Sequence, residues 1–92
     1  MQIMITTPST TEVLVRWTEH LGGMLDEFVG ALCDVDGVDA ADTKRYSTRI
    51  TVAEHVATAT EVASRIVAIL QEDHWFGEEL HTWYPDVEVM CT

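Results

Sequence analysis

Residues 12–25 read EVLVRWTEHLGGML, and two readings of them compete. As a strand, Glu12–Thr18 is rich in β-branched and aromatic residues and puts Val13, Val15 and Trp17 on one side. As a helix, it opens a longer stripe in which Leu14, Trp17, Leu21, Leu25, Phe28 and Leu32 recur at intervals of three and four. Gly22 and Gly23 decide between the two, because a pair of glycines inside one continuous helix would cost roughly 2 kcal/mol relative to alanine. The favoured order is strand, Gly-Gly, helix. Met1–Thr7 is then an extra edge strand; on the other reading it is the first strand, and Ser9 with Glu12 caps one long helix.

Working outward, Met24, Leu25, Phe28, Val29 and Leu32 repeat at helical spacing with Asp26, Glu27 and Gly30 opposite, so a first helix ends near Cys33. Asp34, Asp36 and Gly37 supply a turn. Thr58 and Glu61 have the spacing of a capping box. Val62, Ile66, Ile69 and Leu70, broadened by Ala63, Val67 and Ala68, then predict a second helix from about Thr58 to Asp73. Arg49–Ala53 alternates as a half-buried strand does. Val38–Lys44 alternates more weakly, and Arg45–Thr48 joins the two as a hairpin. A last strand is expected at Val87–Cys91, after the breaker Pro85. The order strand, helix, strand, strand, helix, strand predicts an α+β domain of ferredoxin-like βαββαβ plan over residues 1–92. Its antiparallel sheet would carry two helices on one face, with room for the extra N-terminal edge strand.

Composition bounds the function. Hydrophobic residues make up 47% of the 92 and charged residues 23%, the balance of a globular chain rather than a disordered one. Sixteen acidic residues face five basic ones, for a formal charge of −11 and a pI near 4.4. The acids run along the whole chain, from Glu12 to Glu88, so the folded surface itself is negative. Such a surface repels nucleic-acid phosphates and anionic lipid and steers basic partners inward in a salt-dependent way. Solubility alone is the plainer explanation. Cys33 and Cys91 stand far apart with no ligand spacing, which points to reduced, buried thiols rather than a disulfide framework or a zinc module. Met1–Thr7 lacks the positive start and apolar run of a secretory segment, and no stretch approaches about 18 apolar residues, so a soluble, cytoplasmic location is the default expectation.

From Val13 to Leu70 the layout resembles the heavy-metal-associated domains of copper chaperones and metal-transporting ATPases. It has a strand, a turn at Leu21-Gly22-Gly23-Met24, a helix ending in Asp36-Gly37-Val38, a hairpin and a capped second helix. The resemblance implies the fold. The metal-binding CxxC of that family falls on Leu21 and Met24 here, so thiolate capture of copper or zinc does not carry over.

Chemistry-bearing motifs are few. His20, His55, His74 and His81 have acidic neighbours but no tight ligand spacing, so neither a metal nor another cofactor is expected, and they read as solvated surface residues. A catalytic arrangement of Cys33, Cys91, Ser47 or Ser64 with one of them has no supporting motif, and no catalytic residue is assigned. Glu72 and Asp73 fall at the expected C-terminus of the second helix, where negative charge is mildly unfavourable. The segment Asp73–Pro85 is the most informative. Trp75, Phe76, Trp83 and Tyr84 are four of the seven aromatics and interleave with Glu78, Glu79, His74 and His81. The mixture suits a recognition surface, and a second small core under the sheet is its structural alternative. The expected function is a non-enzymatic protein-binding or regulatory module that docks a basic partner through Trp75, Phe76, Glu78, Glu79, Trp83 and Tyr84. One form of it is an inhibitor that imitates nucleic-acid charge. The alternative is a small-ligand or metal-binding sensor of ferredoxin-like type acting as a homodimer; a small enzyme using His and carboxylate groups comes third.

Overall fold

Fully buried Ile3, Ile5, Val13, Val15 and Ile50 alternate with exposed or half-buried neighbours along three strands, and one continuous apolar sheet face results. The computed structural model describes residues 1–91. In chain order it contains β1 (Gln2–Ser9), β2 (Glu12–Trp17), α1 (Leu25–Cys33), β3 (Val38–Thr43), β4 (Ser47–Val52), α2 (Ala59–Ile69), α3 (Trp75–Trp83) and β5 (Glu88–Cys91), with a 3₁₀ turn at Gly22–Met24 leading into α1. Glu12–Trp17 is therefore strand, and the break falls at the glycines: Gly22 has φ +58°, a conformation open to glycine at little cost. Gly37, at φ +98°, turns the chain from α1 into β3. A Cβ there would lie 2.7 Å from the Ala57 Cβ and 2.8 Å from Val62.

The five strands lie in the order β3-β4-β2-β1-β5. This corrects two expectations. β1 is interior rather than an edge strand, pairing antiparallel with β2 through Ile3↔Trp17 and Ile5↔Val15, and on its other side with β5 through Ile3↔Val89. The β1–β5 ladder is parallel, so the sheet is mixed and not purely antiparallel. The cause is local. The short turn after Ser9 makes β1 and β2 a hairpin, as consecutive strands commonly are. Ile3 and Ile5 then need cover from both sides. β5 closes outside β1, which separates it from β2.

The sheet has three helices to cover its apolar face, where two were expected. α2 follows its apolar stripe, burying Val62 and Ile66, and its capping box is present: the Glu61 N–H donates to Thr58 Oγ1 at 3.1 Å and the Thr58 N–H to Glu61 Oε1 at 3.1 Å. It ends at Ile69, short of Asp73, because a separate helix starts two turns later. His74 is extended and caps α3, its Nδ1 accepting the Phe76 N–H at 3.2 Å. Glu72 and Asp73 thus precede a helix N-terminus instead of closing a C-terminus, and their charge is favourable there. Gly77 lies against the turn they form: an added Cβ would run into the Gln71 carbonyl. The cysteines were expected inside, but Cys33 and Cys91 are both exposed and unpaired. Cys33 is the last residue of α1 and Cys91 sits on the edge strand, positions where neither side chain turns inward. Among the described residues no helix is long and apolar enough to cross a membrane.

Phe28 of α1 is completely buried, with its ring centroid 5.1 Å from Trp17 and 5.6 Å from Phe76 of α3. Phe28→Ala should lower stability by about 3–5 kcal/mol, the usual range for emptying a buried phenylalanine site. Gly77→Ala should cost about 3 kcal/mol or more through overpacking, whereas Gly30→Ala, with open space around the Cβ, should be neutral or stabilising. Urea unfolding of the three variants checks the ranking.

Candidate functional site

Charge on this molecule follows the layers. Glu12, Asp39, Asp42 and Glu88 are on strands; the other twelve of the sixteen carboxylates are on helices or on the connections leading into and out of them. Against those twelve stands Arg65 alone, because Arg16 and Arg49 are on strands and Lys44 and Arg45 occupy the β3–β4 hairpin. Arg65 is itself engaged, donating to the Asp36 carbonyl at 2.9 Å and lying 3.7 Å from Glu61. The helical side therefore presents a negative field with little to offset it.

On that side α3 divides its residues sharply. Phe76, Gly77 and Leu80 point inward and are buried. Trp75, Glu79 and Trp83, each four residues from the next, share one ridge along the helix. The tryptophans are 59% and 69% exposed, the two most exposed large apolar side chains among the described residues. The ridge runs beside α1 in opposite sense. Trp75 borders a shallow depression with Ala31, Asp34 and Val35, near the end of α1, while Trp83 borders a larger cleft with Met24 and Glu27 at its start. Together these two depressions make up the groove between α1 and α3, one at each end.

Its wide end is a cleft of 440 Å³ lined by His20, Leu21, Gly22, Gly23, Met24, Glu27, Glu79, Trp83 and Tyr84. Each lining group is placed by something local. The His20 Nδ1 accepts the Gly22 N–H at 3.0 Å, which stiffens the entry to α1 and leaves Nε2 to carry the proton of the neutral ring. The Tyr84 hydroxyl donates to the His20 carbonyl at 3.2 Å and ties the end of α3 to that entry. Glu27 and Glu79 line the cleft from α1 and α3, and neither forms an ion pair with a basic group among the described residues. The Glu79 carboxyl is raised above its ordinary value, first by partial removal from water, then by the hydrogen bond shared with Glu27 and by that group's charge.

Of the six residues assigned to a partner surface, Trp75, Glu79, Trp83 and Tyr84 line the groove and Glu78 is exposed on the outer side of α3. Phe76 is fully buried and faces the core, where no partner could touch it. The segment thus serves as core and surface at once. Glu27 joins the site although no motif singles it out, beside Met24 of the Leu21–Met24 turn and His20; the signal for it is the four-residue spacing of Trp75, Glu79 and Trp83, which marks a helix and a ridge needing a neighbour. The histidines are placed by structure as well: His20 and His74 accept backbone N–H groups, and His81 Nε2 lies 3.1 Å from the Leu70 carbonyl with Nδ1 3.4 Å from Glu72. No group of three or more His, Cys, Asp or Glu side chains is arranged to hold a metal ion among the described residues.

Fold and cleft together define an α+β protein with an acidic, tryptophan-edged groove on its helical side. No protein-family model, curated protein or solved structure matches the chain.

A raised carboxyl holds its proton more tightly in the folded protein than in the unfolded chain, so its ionisation costs folding free energy. That cost is absent below the ordinary glutamate value of about 4.3, grows as pH climbs past it, and is complete above the raised value. Glu79→Gln should therefore raise the melting temperature at pH 7 by more than the equal charge change Glu88→Gln on the edge strand. The advantage should disappear below pH of about 4. Thermal melts across pH check it; an advantage that persists in acid would show a cause other than the shared proton.

Proposed function

We propose that this protein is a non-enzymatic binding module that docks a basic protein partner in the groove between α1 and α3. The observation that carries this reading is the pair of exposed tryptophans, Trp75 and Trp83, set on one ridge with Glu79 between them, on the layer that holds twelve carboxylates and one arginine. Exposed tryptophans are costly to leave in water and are enriched where proteins meet, because each supplies large contact area and an N–H donor. The carboxylates around them add rate and selectivity, drawing in positively charged surfaces and turning away anionic ones. A module of this kind could occupy the nucleic-acid site of a basic protein as an inhibitor, its carboxylates standing where phosphates would lie. The scaffold itself reads as a ferredoxin-like plan into which β1 has been inserted between the first and last strands, leaving the helical side free for this use.

Binding should weaken steeply as salt rises, since the attraction is screened within about 10 Å at 0.1 M. Trp75→Ala and Trp83→Ala should each change stability by no more than about 0.5 kcal/mol, as exposed substitutions do. Each should weaken the complex by about tenfold or more, as loss of an interface tryptophan does. Calorimetric titration with a basic nucleic-acid-binding protein, with and without its nucleic acid, reads both quantities. A complex indifferent to salt, or one that the tryptophan variants leave intact, would count against the reading.

A further inference from the structure

We infer that the wide end of the groove receives an arginine side chain of the partner, its guanidinium held between the Glu27 and Glu79 carboxylates and stacked against Trp83; this rests on the protein-binding reading above and specifies its anchor. Three features of the cleft point to that chemistry. Glu27 of α1 and Glu79 of α3 line the same cleft, and no Lys or Arg lines it. Neither carboxylate forms an ion pair among the described residues. Two acids lining one cleft without a basic partner favour the arrival of an opposite charge.

The second feature is the aromatic wall. Trp83 is 69% exposed at the cleft, and the indole face is the best cation acceptor among side chains, worth more the more water is excluded. The third is shape. The cleft holds 440 Å³, ample for a long side chain, and its floor of Leu21 and Met24 suits the methylene stem of one. A guanidinium meets all three demands where an ammonium does not: its planar fork can bond two carboxylates at once, and its flat face stacks on indole. Burial first, and Glu27 second, raise the Glu79 carboxyl, and a cation in the cleft would oppose both because a positive charge favours the ionised forms of the two acids.

The test is calorimetric titration with hexa-arginine and, separately, hexa-lysine, on the full chain and on Glu27→Gln, Glu79→Gln, Trp83→Ala and the charge-matched control Glu88→Gln. Hexa-arginine should bind about tenfold more tightly than hexa-lysine, the scale of a bidentate, stacked contact. Each cleft variant should erase that preference while Glu88→Gln keeps it, and the Trp83 indole N–H should shift in proton–nitrogen NMR spectra on adding hexa-arginine only. The glutamine variants are expected to melt no lower than the parent, so loss of binding cannot be laid to unfolding. Equal affinity for the two peptides, weakened alike by all three charge variants, would overturn the arginine site yet leave an acidic docking surface standing. Argininamide alone binding as tightly as the peptide would overturn assignment to a protein side chain. Binding of neither peptide would overturn both this inference and the reading beneath it.

Discussion

The contact on which the rest of the molecule depends is the run of three aromatic rings from the sheet through α1 to α3. Trp17 ends β2, Phe28 lies 5.1 Å from it in α1, and Phe76 lies 5.6 Å beyond in an edge-to-face arrangement. Such pairs add about 0.5–1.5 kcal/mol to what their burial already supplies. Their larger effect is geometric. With Phe28 seated on Trp17 and Phe76 seated on Phe28, α1 and α3 lie close enough for Glu27 and Glu79 to line one cleft. Trp17 contributes at a cost, because its indole N–H is buried without an acceptor, a loss of about 1–3 kcal/mol that packing must outweigh.

Ion pairs do little to hold this fold. Arg49 meets Glu12 at 2.9 Å across the open face of the sheet, and Arg65 reaches Glu61 along α2 at 3.7 Å, but all four side chains are substantially exposed. Contacts of that kind are worth about 0–1 kcal/mol each. Apolar burial on the helical face of the sheet carries the stability instead, and the surplus of negative charge on the helices works against compactness through self-repulsion.

The sequence is legible where a local rule has a single physical outcome. The capping box at Thr58 and Glu61, the alternation of Ile50 and Val52, and the two glycines of the turn that leads into α1 each act within a few residues, and each is where the pattern puts it. The misreadings share one cause, which is that tertiary partners decide between locally similar options. Whether β1 lies inside or at the edge depends on where β5 closes, and no residue of β1 encodes that. The end of α2 was hidden because Leu70 to His74 carries no glycine or proline; the stop comes from His74 capping the next helix and from the close approach of Gly77 to Gln71. The aromatic segment stands out by composition but not as a helix, so the inward turn of Phe76 and the outward turn of Trp75 and Trp83 cannot be separated by composition.

That separation also bears on what the site can do. Among the histidines, His20 is the one that lines the cleft. Its Nδ1 is committed to the Gly22 N–H, so protonating that nitrogen would cost the hydrogen bond that fixes the start of α1. Its role in the cleft is to hold the wall in place, as the Tyr84 hydroxyl does on the other side through the His20 carbonyl. The cleft presents the His20 Nε2, the Glu27 and Glu79 carboxylates and the Trp83 indole face. The capture of a cation proposed above would depend on how firmly the packed helices hold the last three in place.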